Sequence, residues 1–153
     1  MKGFLDPSRL SIAVSCLGPC QKMLELCVKF AKERVTFGKP IADRQAVQQM
    51  LADMAVDVHA LRTMIADCAR RYDAGEKVAA EISMCKLFGV ESTKRVSDNA
   101  LLIHGGIGTN EVSMVEQLYR DVRELWFEEG TPTVQRTVIG RDVLGKAIRS
   151  VGK

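Results

Sequence analysis

A stripe of apolar residues at helical spacing runs without interruption through the middle of the chain. An apolar side chain recurs there at steps of three or four positions: Val47, Met50, Leu51, Met54, Val58, Leu61, Ile65, Cys68 and Tyr72. This spacing is typical of one face of an α-helix, since the faces of a strand alternate every second residue. An apolar face of this length needs other elements to cover it, so the stripe predicts a helical bundle.

Similar spacing recurs along most of the chain and predicts helices near residues 6–36, 43–74, 77–104, 113–123 and 131–149. The third of these is apolar on several faces, as expected of a central helix. The last carries its apolar residues at helical spacing: Val134, Val138, Ile139, Val143, Leu144 and Ile148. Because short turns join antiparallel neighbours, the predicted fold is all-α, an antiparallel (up-down) four-helix bundle with one additional short helix.

Local signals mark where two of these helices begin. Asp6 and Pro7 suit the start of the first helix, with the carboxylate as cap and the proline in the first helical position. Pro19, farther along, should kink that helix because it removes one backbone hydrogen bond. Ser113 and Glu116 have the spacing of a capping box at the start of the short fourth helix.

Composition agrees with a helical domain and excludes several classes of partner. Hydrophobic residues make up 46% of the 153 residues but aromatic ones only 5%, so aliphatic side chains must fill the core. A chain of this length fits one domain, residues 1–153. The net charge of +3 is too small to indicate nucleic-acid binding. No uncharged apolar run approaches the roughly 18 residues of a membrane span, and the N-terminus lacks the core of a signal peptide.

Five cysteines lie among apolar residues, odd in number and without a C-x-x-C pair: Cys16, Cys20, Cys27, Cys68 and Cys85. This pattern predicts buried free thiols in a reducing compartment. Neither histidine follows a glutamate by three residues, which a di-iron bundle requires, and no zinc spacing occurs. We therefore expect no metal site.

The stretch "LWFEEGTPTVQR" places two adjacent carboxylates, Glu128 and Glu129, directly before a helix start. Thr131 can cap this helix and Pro132 suits its first position. The residues alone leave two interpretations open: charges that complement the helix dipole, or a positioned general base. "HGGIG", beginning at His104, is by itself a helix C-cap.

Four segments taken together have a more specific meaning. "ERVTFGKPIADRQAVQQMLADM", "LLIHGGIGTNE", "QLYRDVR" and "FEEGTPTVQR" occur in an order and spacing that resembles the C-terminal helical domain of acyl-CoA dehydrogenases. The resemblance covers the chain from Asp6 to Gly145. It is specific to the superfamily and does not identify the acyl group.

The resemblance implies a flavoprotein with FAD that desaturates an acyl-CoA thioester between Cα and Cβ. A carboxylate removes the α-proton while the β-hydrogen leaves as hydride to the flavin. In most members the base is the glutamate before Gly-Thr at the start of the last helix, which here is Glu129. Gly130 lets the backbone approach closely, and Thr131 caps the helix and can offer its hydroxyl to the flavin.

Further residues match cofactor positions of the family. Arg34 and Phe37 match the segment that reaches the FAD diphosphate, typically that of a neighbouring subunit, and a diphosphate favours a guanidinium. Gln45 matches a glutamine near the dinucleotide, and Gly105 and Gly106 match a loop whose backbone lies against the cofactor. Taken alone, Arg34 could instead favour the negative C-terminal end of the first helix.

The remaining matches lie on the substrate side or depart from the family. Arg9 matches an arginine near the CoA end of the substrate cleft, although alone it could be solvated. Glu128 stands where an acyl-pocket tyrosine is frequent, and Thr133 stands at a cofactor-side position that often holds Gln or Glu. Leu102 replaces a glutamine that often contacts the flavin.

The chain is shorter than the family's enzymes, without their N-terminal helical domain and middle β-domain. We therefore expect this portion to bind FAD weakly and to be inactive alone. The resemblance implies acyl-CoA as substrate, electron-transfer flavoprotein as a possible acceptor, and self-association as a dimer or tetramer. The alternative is a non-catalytic helical module derived from the family that serves oligomerisation.

Overall fold

The computed structural model describes residues 2–151 of the chain, and side chains between residues 6 and 145. It contains five α-helices, which are α1 (Lys2–Glu33), α2 (Gln45–Asp73), α3 (Ala79–His104), α4 (Met114–Glu124) and α5 (Pro132–Val151). A hairpin of β1 (Val35–Thr36) and β2 (Lys39–Pro40) and a 3₁₀ helix (Ile41–Asp43) join α1 to α2. A second 3₁₀ helix (Gly105–Thr109) follows α3. The predicted all-α class is confirmed.

The central helix is α3, as predicted. It packs against α1, α2, α4 and α5, and 13 of its 26 residues are buried. The predicted stripe of α2 also faces inward, with Met54, Val58 and Leu61 buried. Tyr72 at the end of that stripe is instead exposed, because α2 ends one residue later.

All five cysteines are buried, and two of them lie in different parts of the interior. Cys16 belongs to a cluster with Leu61 and Ile82, and Cys20 to a second cluster with Met54 and others. Burial raises the pKa of the Cys16 and Cys20 thiols to about 12, so both are protonated and unreactive near neutral pH.

The prediction that α1 starts at Asp6 and Pro7 is wrong. The helix begins at Lys2, and Pro7 lies inside its second turn. A proline so near a helix end removes only one intrahelical hydrogen bond, which does not stop the helix. α1 also continues through Pro19 to Glu33, so the kink stays a prediction.

The hairpin after α1 was not predicted. Its two strands pair Val35 with Pro40 and Thr36 with Lys39. Phe37 and Gly38 form the turn between them, both with positive φ (51° and 77°), as a two-residue type I′ turn requires. The "FGKP" signal therefore marks a tight reversal as well as the end of a helix.

Only one half of the capping box predicted at the start of α4 is present. The Ser113 hydroxyl accepts a hydrogen bond from the Val115 backbone N–H at 3.3 Å, as a cap does. The Glu116 carboxylate instead pairs with Arg120 one turn later, at 2.6 Å from its Nε. The Arg120 guanidinium, four residues after Glu116, competes with the backbone N–H for the carboxylate that a capping box needs.

The apolar face predicted for α5 is largely exposed. Val134, Val143 and Leu144 are exposed, and Leu144 retains 64% of its accessible surface. The cause is that α5 packs mainly against α3, which leaves much of its other side uncovered by the described residues. Ile148 lies beyond the residues whose side chains the structure describes.

Candidate active site

The connection between α4 and α5, residues 125–131, has an unusual backbone at its end. We call it the base loop. Glu129 has φ +50° and Gly130 has φ +95°, both in the left-handed region. That region is uncommon for a residue with a side chain and costs on the order of 1–3 kcal/mol, so it persists only where neighbours enforce it. Pro132 begins α5, so Thr131 stands at the cap position as predicted.

Three side chains from three helices hold this backbone. The Lys86 ammonium on α3 donates to the Gly130 carbonyl. The Gln135 amide on α5 donates to the carbonyls of Glu129 at 3.1 Å and Gly130 at 3.0 Å. Arg9 on α1 donates from Nε to the Glu129 carbonyl at 3.3 Å. Two successive carbonyls thus receive two hydrogen bonds each, and this satisfies the loop in its strained form.

Lys86 and Gln135 are fully buried, both with 0% of their surface accessible. Burial lowers the pKa of Lys86, as does the nearby Arg9 charge, while the carboxylates of Glu128 and Glu129 act in the opposite direction. Neither Lys86 nor Gln135 was among the predicted site residues. A signal for Lys86 existed: it lies four residues from both Ile82 and Val90, on the buried face of α3.

The two carboxylates of the base loop differ in exposure. Glu129 is half-buried and Glu128 is exposed. Within residues 6–145, neither carboxylate makes a hydrogen bond, so both are available to a bound molecule. Arg9, predicted on the substrate side, lies against this loop and also faces Asp6 at 3.9 Å.

A second group of predicted residues meets at the C-terminal end of α3. There a cleft of about 440 Å³, here called the glycine cleft, is lined mainly by Arg34, Thr36, Leu102, Gly105, Gly106 and Ile107. A Cβ added to Gly105 or Gly106 would meet nothing within 4 Å, so the backbone of these glycines faces open space. The cleft joins a guanidinium, accessible backbone and apolar side chains.

His104 supports the wall of the glycine cleft. Its ring stacks on Phe30 with centroids 4.3 Å apart, and its Nδ1 donates to the Ala100 carbonyl at 2.9 Å. The Gly105 backbone N–H bonds to the Leu101 carbonyl, so the C-cap interpretation of this segment also holds. Gly108 was missed by the sequence reasoning, although a Cβ there would lie 2.9 Å from the His104 Cβ.

The other predicted cofactor residues lie outside the cleft. Phe37, at the hairpin tip, is 97% exposed, with the Arg44 guanidinium 5.8 Å from its ring centroid. Gln45 is exposed at the first residue of α2, and Thr131 and Thr133 are exposed at the start of α5.

The base loop and the glycine cleft lie far apart along α3. Lys86 contacts the base loop and His104 adjoins the cleft, and a helix rises about 27 Å over the roughly 18 residues between them. The two sites are therefore separate surfaces of one bundle.

Among residues 2–151, no helix has both the length and the apolar character that crossing a membrane requires. In the same part of the chain, no group of three or more His, Cys, Asp or Glu side chains is arranged to hold a metal ion.

Comparison with known proteins identifies the family of this chain. Residues 1–144 match the family described as acyl-CoA dehydrogenase, C-terminal domain. The chain is 40% identical over 140 residues to 3-(aryl)acrylate reductase of Clostridium sporogenes, covering 92% of this chain and 37% of that protein. It is 39% identical over 142 residues to the caffeyl-CoA reductase–Etf complex subunit CarC of Acetobacterium woodii, covering 93% and 38%.

A solved acyl-CoA dehydrogenase from Geobacillus kaustophilus has the same fold as this chain, with a TM-score of 0.89 and 32% identity. The match covers 91% of this chain and 37% of the other. The chain thus spans a little over a third of the length of these relatives. It belongs to the acyl-CoA dehydrogenase family and carries its C-terminal domain.

Proposed function

We propose that this chain is the base-carrying domain of a flavoenzyme that acts on the Cα–Cβ bond of an acyl-CoA thioester, with Glu129 as the base. The observation that carries this proposal is the base loop. Glu129 is held in a strained backbone by four hydrogen bonds to two carbonyls, while its own carboxylate is left without a hydrogen bond in the described part of the chain. Strain of this kind is concentrated at functional sites.

The carboxylate of Glu129 accepts the α-proton when the bond is desaturated and returns it when the bond is reduced. These are the same proton transfer at the same oxygen in opposite directions, so one geometry serves both. A base in this role must lie within hydrogen-bond reach of the proton. Thr131, exposed at the start of α5, presents a hydroxyl that can meet the cofactor.

The glycine cleft fits part of an FAD molecule. The Arg34 guanidinium suits a diphosphate, and the open backbone at Gly105 and Gly106 allows a flat or charged group to come close. Phe37, Gln45 and Thr133 are exposed and can add contacts from outside the cleft. FAD, when bound, supplies the hydride acceptor. We propose that this domain alone holds FAD weakly, since the cleft is open on one side.

The distance between the base loop and the glycine cleft supports self-association. Because about 27 Å of α3 separates them, we propose that the cleft of one copy serves the cofactor beside the base loop of another. The exposed side chains of Val143 and Leu144 on α5 add an apolar surface that a second copy can cover. We expect a dimer or tetramer in sedimentation at high concentration, and a clean monomer would contradict this.

The proposal also names a substrate, a redox partner and a cellular compartment. Acyl-CoA is the substrate that Glu129 and Arg9 would meet, and Glu128 borders the acyl group. An electron-transfer flavoprotein is the proposed redox partner, supported by the relative named as a subunit of an Etf complex. The five buried free thiols suit a reducing compartment, either the bacterial cytoplasm or the mitochondrial matrix.

The second candidate function is a non-catalytic oligomerisation module, which the exposed face of α5 favours. The test that separates the two compares Glu129→Gln with Glu128→Gln in a complete flavoprotein that contains this domain. Glu129→Gln keeps the shape of the side chain and removes the proton acceptor. General-base contributions are about 10²–10⁴-fold, and we expect a loss in the upper part of that range.

The measurement is the single-turnover rate of flavin reduction by an acyl-CoA. Glu128→Gln is the matched control and should change acyl preference far more than rate. If Glu129→Gln reduced flavin at nearly the parent rate while Glu128→Gln reduced it slowly, Glu128 and not Glu129 would be the base. Equal rates in the parent and both variants would mean that the base lies elsewhere, and this would contradict the assignment of Glu129.

A further inference from the structure

We infer that Lys86 and Gln135 are positioning residues that set the direction of the Glu129 carboxylate. This inference rests on the proposed function of Glu129. Neither residue faces the surface, and both aim their donors at the backbone of the base loop. Their action on the reaction is therefore through Glu129 and not through contact with substrate.

The two residues fix the peptide planes on both sides of Gly130. The Glu129 carbonyl belongs to the plane before Gly130, and the Gly130 carbonyl belongs to the plane after it. Gln135 donates to both, Lys86 to the second, and Arg9 to the first. With these planes fixed, Glu129 keeps φ +50° although an extended or right-handed backbone is intrinsically favoured. A change of either plane would turn the side chain of Glu129 away from its present direction.

Fold stability does not account for Lys86. Burying an ammonium is costly, and replacing a buried charge with an apolar side chain of similar size is often neutral or stabilising. The loss of Lys86 would also leave the Gly130 carbonyl paired, because Gln135 donates to it at 3.0 Å. A charged group kept in the interior under these conditions indicates a role in placing the loop.

Gly130 shows how closely the surrounding side chains fit this loop. A Cβ at that position would lie 3.2 Å from the Gln135 Nε2 and 3.2 Å from a Val134 methyl group. Gln135 thus packs directly against the backbone that it holds. A small shift of its amide moves the loop, and a misplacement of about 1 Å can cost on the order of 100-fold in rate.

The test replaces Lys86 with methionine, which is similar in length and uncharged. In a complete flavoprotein containing this domain, we expect Lys86→Met to reduce flavin about 10- to 100-fold more slowly. The Kd for the acyl-CoA should change less than threefold, and the melting temperature should stay the same or rise. Lys94→Met, at an exposed position of the same helix, is the matched control and should leave all three values unchanged.

A second readout does not depend on activity. Hydrogen exchange at the Gln135 backbone amide, which donates to the Thr131 carbonyl at 3.2 Å, should be faster in Lys86→Met than in Lys94→Met when measured on this chain. If Lys86→Met does not fold, Gln135→Met takes its place under the same criteria, because it removes a donor from both carbonyls.

Parent rates of flavin reduction in Lys86→Met would overturn the inference. So would a slow variant whose melting temperature falls in proportion, since that identifies a purely structural role. Glu129→Gln separates the two levels of the argument. If Glu129→Gln is slow and Lys86→Met is normal, only the inference fails, whereas a normal Glu129→Gln defeats the proposed function as well.

Discussion

The interior of the bundle and the base loop use the same helices in different ways. The interior, where α1, α2 and α3 meet, consists of small or flexible apolar side chains in regular helical backbone, such as Cys20, Met23 and Met54. The base loop contains two carboxylates and a left-handed backbone at Glu129 and Gly130, held by the buried polar side chains of Lys86 and Gln135. The difference indicates that stability resides in the first region, while the second depends on that stability to maintain its strain.

The largest expected effect is on the interior. Met54 is fully buried in the stripe of α2, so Met54→Ala should lower the free energy of unfolding by about 2–5 kcal/mol. Denaturant unfolding measures this. Val56→Ala, at an exposed position of the same helix, is the control and should change it by at most about 0.5 kcal/mol. In a complete flavoprotein kept below its melting temperature, Met54→Ala should reduce flavin at the parent rate.

A strong loss of rate in Met54→Ala without loss of fold would break the comparison. It would show that the interior also sets the geometry of the base. The two regions would then have to be treated as one unit.

The next effect belongs to the base loop. Gly130→Ala places a Cβ at φ +95° and against Gln135 and Val134, so we expect about 1–3 kcal/mol of destabilisation. We also expect a loss of flavin-reduction rate larger than that of Met54→Ala. The matched control is Gly140→Ala, since a Cβ there meets nothing within 4 Å and the site is helical.

Gly140→Ala should stabilise the chain by about 0.5–1 kcal/mol, because alanine loses less backbone entropy in a helix. The two glycine variants should therefore change the free energy of unfolding in opposite directions. A Gly130→Ala variant as stable and as active as the parent would show that the left-handed backbone is not required.

The sequence predicted more about the interior than about the base loop's support. Helix positions were close to those observed because burial in a bundle repeats with the helical period, and the α2 stripe follows that period almost throughout. Glu129 was predicted as the base from the family resemblance, since the adjacent Gly-Thr-Pro alone left its role open. Lys86 was missed because only the fold brings it to the Gly130 carbonyl, 44 residues along the chain. Gln135 was missed because its amide reaches back to carbonyls five and six residues earlier, a contact that the helical period does not indicate.

The exposed face of α5 illustrates the other limit of the sequence. Periodic apolar residues show that a helix has a face to cover, and they do not show what covers it. Val143 and Leu144 follow the period and are exposed because α5 packs mainly against α3. The hairpin at Phe37 was missed for a related reason, since two-residue strands carry no periodic signal.

The smallest expected effect is a dependence of stability on alkaline pH that has opposite signs in the two regions. Burial raises the pKa of Cys20 from 9.0 to about 12. Above pH 9 the unfolded thiol loses its proton while the folded thiol keeps it. The stability contributed by this thiol is therefore complete below pH 9 and is lost as the pH rises towards 12. One pH unit above 9 corresponds to about 1.4 kcal/mol.

Lys86 should act in the other direction. Burial lowers its pKa below 10.5, so between the lowered value and 10.5 the unfolded state binds more protons than the folded one, and stability rises with pH. The measurement is the free energy of unfolding at pH 8 and at pH 10. Cys20→Ala should remove part of the loss of stability that the parent shows between these pH values. Lys86→Met should remove the gain in stability that the parent's Lys86 contributes over the same range. Each is measured against the parent, so that other groups that titrate in this range cancel. The two variants should therefore change the pH dependence of stability in opposite directions. If both changed it in the same direction, the buried ammonium would respond to burial as the buried thiols do. The electrostatic contrast between the two regions would then be wrong.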